Sequence, residues 1–254
     1  MSTNFEVLFA PAEFDALSRR DLSATTCVVF DVFRATSTIV TALAHGANAL
    51  IPVSDIPEAL SWRQKHPEVL LAGERDGLRI QANLTGGIDF DLGNSPREFT
   101  PERIRGHTIV ISTTNGSRAL RACTGAQTVL VGSLLNLTAT SDYLRRHRPK
   151  ELLLVCSGTG DQASFEDILG VGALVEELWP DYDEMLMADS VIVAHQIYLQ
   201  HSKNLLNALK HSRNGRRLLA MPDLREDVPW CLQKNVYALV AALEADGKIK
   251  ATFR

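Results

Sequence analysis

The chain has 254 residues with a hydrophobic fraction of 45% and a charged fraction of 22%, ordinary values for a soluble globular protein with a sizeable core. Its net charge is −4 and it has no basic block, so nucleic-acid binding has little support. No apolar run approaches the roughly 18 residues of a membrane span. No positively charged segment precedes an apolar one near the N-terminus, so we expect no secretory signal either.

Apolar runs alternate with helical patterns along the first part of the chain. We predict strands at 5–9, 27–30, 49–53 and 69–72, and helices at 11–17, 35–45 and 56–65. The long segment 73–100, rich in Gly, Asp and Asn, follows the fourth strand. Loops of that length in a compact domain are usually functional or disordered, and its scattered charged residues favour a functional loop.

The alternation continues in the second half. We predict strands at 108–112, 128–131 and 152–155 and helices at 118–123 and 137–146. Apolar residues from Ile168 to Leu178 recur at helical spacing, and Ser164 with Asp167 matches a capping box before them. The ranges 189–209 and 215–219 are mainly helical, whereas 230–243 fits a strand or a helix equally well.

This order of elements predicts an α/β protein, a three-layer α/β/α fold with a mainly parallel or mixed sheet. Residues 28–53 and 109–133 share one layout of strand, polar turn, Arg, short helix, Gly-Ala and strand, with Arg34 and Arg118 in comparable places. They are either two related βαβ units or a chance likeness. The sequence contains no clear linker, so we treat 1–254 as one unit, with 135–150 as the place for any subdivision.

The four cysteines are widely spaced and form no C-x-x-C pair. Three of them lie beside apolar runs, so we interpret them as reduced core residues of a cytoplasmic protein. The seven histidines include no H-x-x-x-H pair, which leaves zinc without support.

The chain is centred on the segment 28–38, an apolar strand that feeds a helix through a polar turn. Asp31 stands where a strand-end carboxylate can hold a metal, and Arg34 with the amides around 36–38 can hold an anion. The residues fit a simple helix cap equally well. Three other strand-to-helix turns are similarly polar, and in a parallel sheet such turns meet at one edge. Their carboxylates, hydroxyls and arginines suit a substrate with several anionic groups and an oxygen-liking metal such as Mg²⁺.

Several nucleotide-binding and catalytic motifs are missing from the sequence. A Walker loop, a Rossmann G-x-G-x-x-G and a G-x-S-x-G elbow do not occur. Arg34 lies one residue too far from Cys27 for a cysteine phosphatase. Phe33 occupies the position of the second aspartate of a haloacid-dehalogenase phosphatase. We therefore interpret Asp31 as a metal ligand rather than a nucleophile.

Six segments in this order resemble the ComB-type 2-phosphosulfolactate phosphatases, from about residue 5 to about residue 250. The segments are 31–38 (DVFRATST), 72–78 (AGERDGL), 90–96 (FDLGNSP), 113–120 (TTNGSRAL), 156–158 (CSG) with Glu166-Asp167, and 214–219 (NGRRLL). The resemblance implies Mg²⁺-dependent hydrolysis of 2-phospho-3-sulfolactate to 3-sulfolactate and phosphate, a step of coenzyme M biosynthesis. Another phosphorylated small acid as substrate, or a non-catalytic protein that binds sulfonates, is the alternative.

With this activity, the matching residues receive roles. Asp31 and Glu74, with Glu166 or Asp167, are expected to hold Mg²⁺, and Arg34 and Asn115 to act on the phosphoryl group. Arg75 or Arg118 is expected to pair with the sulfonate or carboxylate. The remaining substrate-binding candidates are Thr36, Ser37, Asn94, Ser95, Thr113, Thr114, Gly116, Ser157 and Gly158.

Each role has a structural alternative. Glu74-Arg75 can be an ion pair, Asp167 part of a capping box, and 94–96 and 115–116 plain turns. The expected partner is a small anionic substrate, without nucleic acid or membrane, and a homo-oligomer remains open.

Overall fold

The computed structural model describes residues 3–253, and its strands form one ten-stranded mixed sheet. The strands are β1 Asn4–Leu8, β2 Thr25–Phe30, β3 Ala49–Val53, β4 Leu70–Arg75, β5 Leu78–Arg79, β6 Thr108–Ser112, β7 Thr128–Gly132, β8 Glu151–Cys156, β9 Leu239–Leu243 and β10 Ile249–Phe253. The α-helices are α1 Phe14–Leu17, α2 Ala35–Ala44, α3 Ile56–Lys65, α4 Ala82–Thr85, α5 Pro101–Ile104, α6 Gly116–Ala122, α7 Leu137–His147, α8 Phe165–Leu178, α9 Asp189–His201, α10 Leu205–Leu209, α11 Arg213–Ala220 and α12 Asp227–Cys231. Among the described residues, no helix combines the length and the apolar character that a bilayer crossing requires.

The sheet consists of two parallel blocks joined by an antiparallel hairpin, in the order β1-β8-β2-β7-β9-β10-β3-β6-β4-β5. Strands β1, β8, β2 and β7 are parallel to one another, and so are β3, β6 and β4. The pairs β7–β9, β9–β10 and β10–β3 are antiparallel, so the two blocks run in opposite directions.

In a flat sheet this reversal would put the carboxyl ends of β2 and β4 at opposite edges. Neighbouring strands are rotated by roughly 20–25°, so the six steps from β2 to β4 accumulate roughly 120–150° of twist. Twist of this size would offset part of the reversal, and residues at the carboxyl ends of β2 and β4 do line one pocket.

Helices cover both faces of the sheet, which makes the predicted three layers. Side chains of β2 alternate between the faces, as the pleat requires. Cys27 and Val29 pack with α2 and α6 in one apolar cluster, whereas Val28 and Phe30 pack with α7, α8 and α9 in another. Helix α3 packs on β3, β4 and β6, on the face opposite to α2. All four cysteines are buried and free, as predicted.

The predicted strands and helices up to residue 178 are confirmed within a few residues at each end. The range 230–243, left open between helix and strand, holds the end of α12 and then β9. Strand β10 was not predicted, although Asp246-Gly247 between two apolar runs is a hairpin signal. The segment 73–100 is not wholly irregular, because it contains β5 and α4.

Two local predictions are wrong. The Ser164 side chain makes no capping hydrogen bond at α8, and Asp167 accepts the amide of Val32 instead. Arg34 and Arg118 do not occupy comparable places: Arg34 is the N-cap of α2, whereas Asn115 is the N-cap of α6. The two similar units also interleave, since β2 pairs with β7 and β3 with β6, so each unit crosses between the blocks.

Candidate active site

A cleft of about 180 Å³ lies where β2, β4, β6 and β8 end. We call it the cleft throughout. Asp31 directly follows β2, Glu74 is near the end of β4, Thr113 follows β6, and Thr159 lies three residues beyond β8. All four line the cleft. The sequence prediction that these polar turns meet is therefore confirmed, although the sheet is not uniformly parallel.

The turn from β2 into α2 holds Asp31 rigidly. Its Oδ1 accepts a hydrogen bond from the Ala35 amide at 3.2 Å. The Thr36 hydroxyl donates to the Asp31 carbonyl at 2.9 Å, and the Ser37 hydroxyl donates to the Val32 carbonyl at 3.0 Å. Asp31 thus has the capping contact of the structural alternative, and its carboxylate also faces the cleft.

Helix α2 is buried on all sides, which explains its short polar side chains. Residues from Ala35 to Leu43 are buried, and the hydroxyl groups at its start donate to main-chain carbonyls. A buried hydroxyl is costly unless it is hydrogen-bonded. The hydroxyls of Thr36 and Ser37 therefore stabilise the turn and lie outside the lining of the cleft.

Two acids at the start of α8 extend the negative charge beneath Asp31. Asp167 accepts hydrogen bonds from the Val32 amide at 2.8 Å, the Gly158 amide at 3.0 Å and the Ser157 hydroxyl at 3.2 Å. It thereby ties the turn after β8 to the turn after β2. Glu166 accepts a hydrogen bond from the Asn214 amide at 2.5 Å, which ties α8 to α11.

Burial raises the pKa of three acids around the turn that follows β2. Burial raises the pKa of Asp31 to about 6, and the charges of Glu74 and Glu166 add to the rise against hydrogen bonds from Ala35 and Ser157. Burial, followed by the charges of Asp31 and Glu166, raises the pKa of Asp167 well above its ordinary value. Burial also raises the pKa of Glu166, against the hydrogen bond from Asn214. Burial therefore opposes ionisation of all three carboxyls, and neighbouring acids add to this effect at Asp31 and Asp167.

Glu74 organises the opposite wall of the cleft. Its Oε1 accepts hydrogen bonds from the Thr114 amide at 2.9 Å and the Thr114 hydroxyl at 2.8 Å. Its Oε2 accepts the Gly77 amide at 2.8 Å in the turn between β4 and β5. One carboxylate thus joins that turn to the start of α6. Glu74 does not pair with the Arg75 side chain, which donates instead to the Ser112 hydroxyl at 2.9 Å.

Arg34 lines the cleft but is held by internal partners. Its Nη1 lies 2.7 Å from Oδ2 of Asp227, a fully buried side chain, and its Nη2 donates to the Gly77 carbonyl at 2.6 Å. The Ser95 hydroxyl donates to the other Asp227 oxygen at 2.6 Å. The sequence did not identify Asp227, because it lies 193 residues from Arg34.

The start of α6 approaches Asp31 closely. A Cβ added to Gly116 would lie 2.6 Å from Cβ of Ala35 and 2.9 Å from Oδ2 of Asp31, so only glycine fits. Asn115 accepts the Gly160 amide through its Oδ1 at 3.2 Å. The side-chain Oδ1 of Asn94, which also lines the cleft, is buried without a hydrogen-bond partner.

The structure brings part of the predicted site into the cleft. These residues are Asp31, Arg34, Glu74, Asn94, Thr113, Thr114 and Asn115. The other predicted residues lie outside its lining, and they are Thr36, Ser37, Arg75, Ser95, Gly116, Arg118, Ser157, Gly158, Glu166 and Asp167. Arg118 is about half exposed and donates to the Asp161 carboxylate at 2.8 Å, away from the cleft.

Sequence reasoning missed other lining residues, which are Phe33, Asp76, Gly77, Thr159, Asn214, Arg217 and Leu218. Three of them belong to the segment 214–219, which resembles a family motif. Asp76 and Gly77 directly follow Glu74-Arg75 in the segment 72–78, so the same family resemblance covers them. Within residues 3–253, no three His, Cys, Asp or Glu side chains form a group that could hold a metal ion.

Sequence comparison with known proteins covers nearly the whole chain. A family profile described as 2-phosphosulpholactate phosphatase matches residues 13–246. A protein of Caldanaerobacter subterraneus is 37% identical over 91% of this chain and 92% of its own length. Proteins of Nostoc punctiforme and Thermotoga maritima are 34% and 37% identical over 92% and 86% of this chain, and 95% and 88% of their own lengths. All three are named "probable 2-phosphosulfolactate phosphatase". The chain therefore belongs to the 2-phosphosulpholactate phosphatase family.

Proposed function

We propose that this protein is a Mg²⁺-dependent phosphatase that hydrolyses 2-phospho-3-sulfolactate to 3-sulfolactate and phosphate, as in coenzyme M biosynthesis. One observation carries the proposal: carboxylates and arginines line the same small cleft. Asp31 and Glu74 provide the acids, and Arg34 and Arg217 provide the cations. Family membership supports the same chemistry, since the relatives are named probable 2-phosphosulfolactate phosphatases.

The charge of the site fits a hard divalent cation. Burial raises the pKa values of Asp31, Glu166 and Asp167, and nearby negative charges add to the rise at Asp31 and Asp167, so a cation would stabilise the ionised carboxylates. Mg²⁺ usually binds one or two carboxylates together with water and substrate phosphate, rather than a complete cage of protein ligands. A preassembled group of three acids is therefore not required. Asp31 is the proposed ligand, with Glu74 across the cleft and with Glu166 and Asp167 supplying charge.

When bound, Mg²⁺ supplies polarisation of the phosphoryl oxygens and a lower pKa for a coordinated water. The protein's own residues position the substrate. Because the Asn115 Oδ1 is used by Gly160, its amide nitrogen is the donor available to a phosphoryl oxygen. Arg34, held in one orientation by Asp227, presents its guanidinium group at the wall. Fixed donors of this kind stabilise charge that develops in the transition state.

The test is phosphate release by the purified protein with 2-phospho-3-sulfolactate, 2-phospholactate and a simple phosphomonoester. Each substrate is measured with Mg²⁺ and with EDTA. We expect Mg²⁺-dependent turnover with the highest kcat/KM for 2-phospho-3-sulfolactate. A higher kcat/KM for 2-phospholactate would assign the protein to another phosphorylated acid. Binding of 3-sulfolactate without any turnover would indicate a sulfonate-binding protein.

We also propose that the protein works in the cytoplasm. Its four cysteines are free and buried, a pattern typical of proteins kept in a reducing compartment. Fractionation of cells that express the tagged protein would test this location.

A further inference from the structure

The arginines around the cleft differ in how their charge is already used. Arg34 is paired with the buried Asp227, and Arg75 donates to the Glu74 carbonyl and the Ser112 hydroxyl. Arg118 pairs with Asp161 and does not line the cleft. The sequence predicted these three arginines as substrate-binding residues, and each already contacts a polar group of the protein.

Arg217 on α11 is the exception among these cleft arginines. It lines the cleft, and its side chain is 46% exposed. Among residues 3–253 its ion-pair partner is Asp76, at 3.9 Å, whose side chain is 97% exposed. An exposed ion pair at that separation contributes little and is readily exchanged for another anion. Arg217 therefore presents a guanidinium whose charge is not neutralised by a buried acid.

Gly77 lies between Arg217 and Arg34. A Cβ on Gly77 would lie 3.5 Å from Nη2 of Arg217 and 3.9 Å from Nη2 of Arg34. Two guanidinium groups thus flank one point beside the cleft, and only one of them has a buried counter-ion. Oxyanions with two or three oxygens match the planar donor fork of arginine.

We propose that Arg217 binds the second anionic group of the substrate, the sulfonate or the carboxylate, and so determines specificity for phosphorylated acids over simple phosphomonoesters. This inference rests on the proposed phosphatase activity. It replaces Arg75 and Arg118 in the role that the sequence assigned to one of them.

The experiment compares Arg217→Gln with Arg216→Gln. Arg216 is the adjacent residue on the same helix, is exposed, carries the same charge and does not line the cleft. Both variants lose one positive charge, so a general electrostatic effect would appear in both. The conservative variant Arg217→Lys keeps the charge and removes the fork.

Kinetics are measured with 2-phospho-3-sulfolactate, with 2-phospholactate, which lacks the sulfonate, and with the phosphate ester of 2-hydroxyethanesulfonate, which lacks the carboxylate. A charge-assisted hydrogen bond contributes about 1.5–3 kcal/mol, so Arg217→Gln should lower kcat/KM for the full substrate roughly 10- to 100-fold. The loss should fall mainly on KM, since the contact is equal in the ground state and the transition state. The truncated substrate that is insensitive to Arg217→Gln identifies the group that Arg217 binds. Arg217→Lys should recover part of the loss, and Arg216→Gln should stay within about twofold of the parent.

A calorimetric titration with 3-sulfolactate separates this inference from the proposed activity. Arg217→Gln should weaken 3-sulfolactate binding by a similar factor and leave inorganic phosphate binding unchanged, even if the parent protein hydrolyses none of the substrates. Equal effects of Arg217→Gln and Arg216→Gln would overturn the assignment, and so would a parent protein that does not bind 3-sulfolactate. A loss that falls equally on all three substrates would also overturn it.

Discussion

Replacing Arg34 by methionine should destabilise the protein much more than replacing an exposed arginine. The change leaves the Asp227 carboxylate fully buried without its 2.7 Å partner. Removing one member of a buried ion pair costs about 3–5 kcal/mol. Asp227 keeps the Ser95 hydroxyl at 2.6 Å and Arg97 at 3.6 Å, so we expect the lower end of that range, about 3 kcal/mol.

For a protein of this size, each kcal/mol shifts Tm by about 2–4 °C, so the expected decrease is roughly 6–12 °C. The assay is thermal unfolding in EDTA, which keeps metal binding out of the comparison. Arg118→Met is the matched control, because its pair with Asp161 is exposed and is worth about 1 kcal/mol or less.

The double variant Arg34→Met/Asp227→Asn tests the cause. Asparagine removes the unpaired charge at nearly constant volume, so the double variant should be more stable than Arg34→Met alone. Additive losses in the double variant would refute the buried ion pair as the source of the effect. A Tm for Arg34→Met equal to that of Arg118→Met would refute it as well.

Three further predictions concern the acids and the metal. EDTA should abolish phosphate release and Mg²⁺ should restore it, and full turnover of metal-free protein would contradict the proposed mechanism. Asp31→Asn should fold, because its side-chain oxygen can still accept the Ala35 amide. Its kcat should fall roughly 100-fold and its Mg²⁺ affinity should weaken, measured by Mg²⁺ titration of turnover. In EDTA, stability should decrease as pH rises from 4 to 7. The pKa of Asp31 is raised to about 6 on folding, so the folded state binds more protons than the unfolded state in that window. A rise of the Asp31 pKa from 3.8 to about 6 corresponds to a loss of roughly 3 kcal/mol in the free energy of unfolding across this window, in metal-free protein. Asp31→Asn should flatten this dependence in urea unfolding measured across the window, and an equal slope in parent and variant would contradict the assignment.

Local sequence patterns sufficed for most elements and for the residues next to strand ends. Strand β2 is six consecutive buried residues, and such an apolar run followed by a helical pattern is readable without neighbours. Asp31, Glu74 and Thr113 were found because each directly follows or ends such a strand. That these residues lie close together followed from the general rule that sites form at the carboxyl ends of strands in α/β sheets.

Prediction failed where a residue's partner is distant in sequence. Asp167 matched a capping box with Ser164, three residues away, but its carboxylate accepts the Val32 amide, 135 residues away. A local rule cannot exclude a stronger distant donor. Arg75 and Arg118 looked as suitable as any arginine, and only the structure shows that both are engaged outside the cleft.

The sequence by itself therefore determined the α/β architecture, the family and the turns that carry the acids, because these depend on periodicity and on short motifs. The tertiary structure alone decided which charges are neutralised within the protein and which remain for a ligand. Arg34 and Arg217 carry the same charge, but Arg34 faces the buried Asp227 and Arg217 faces the exposed Asp76. The physical reason is that the strength of a charge interaction depends on distance and on solvent exposure, and the fold sets both for residues far apart in the chain.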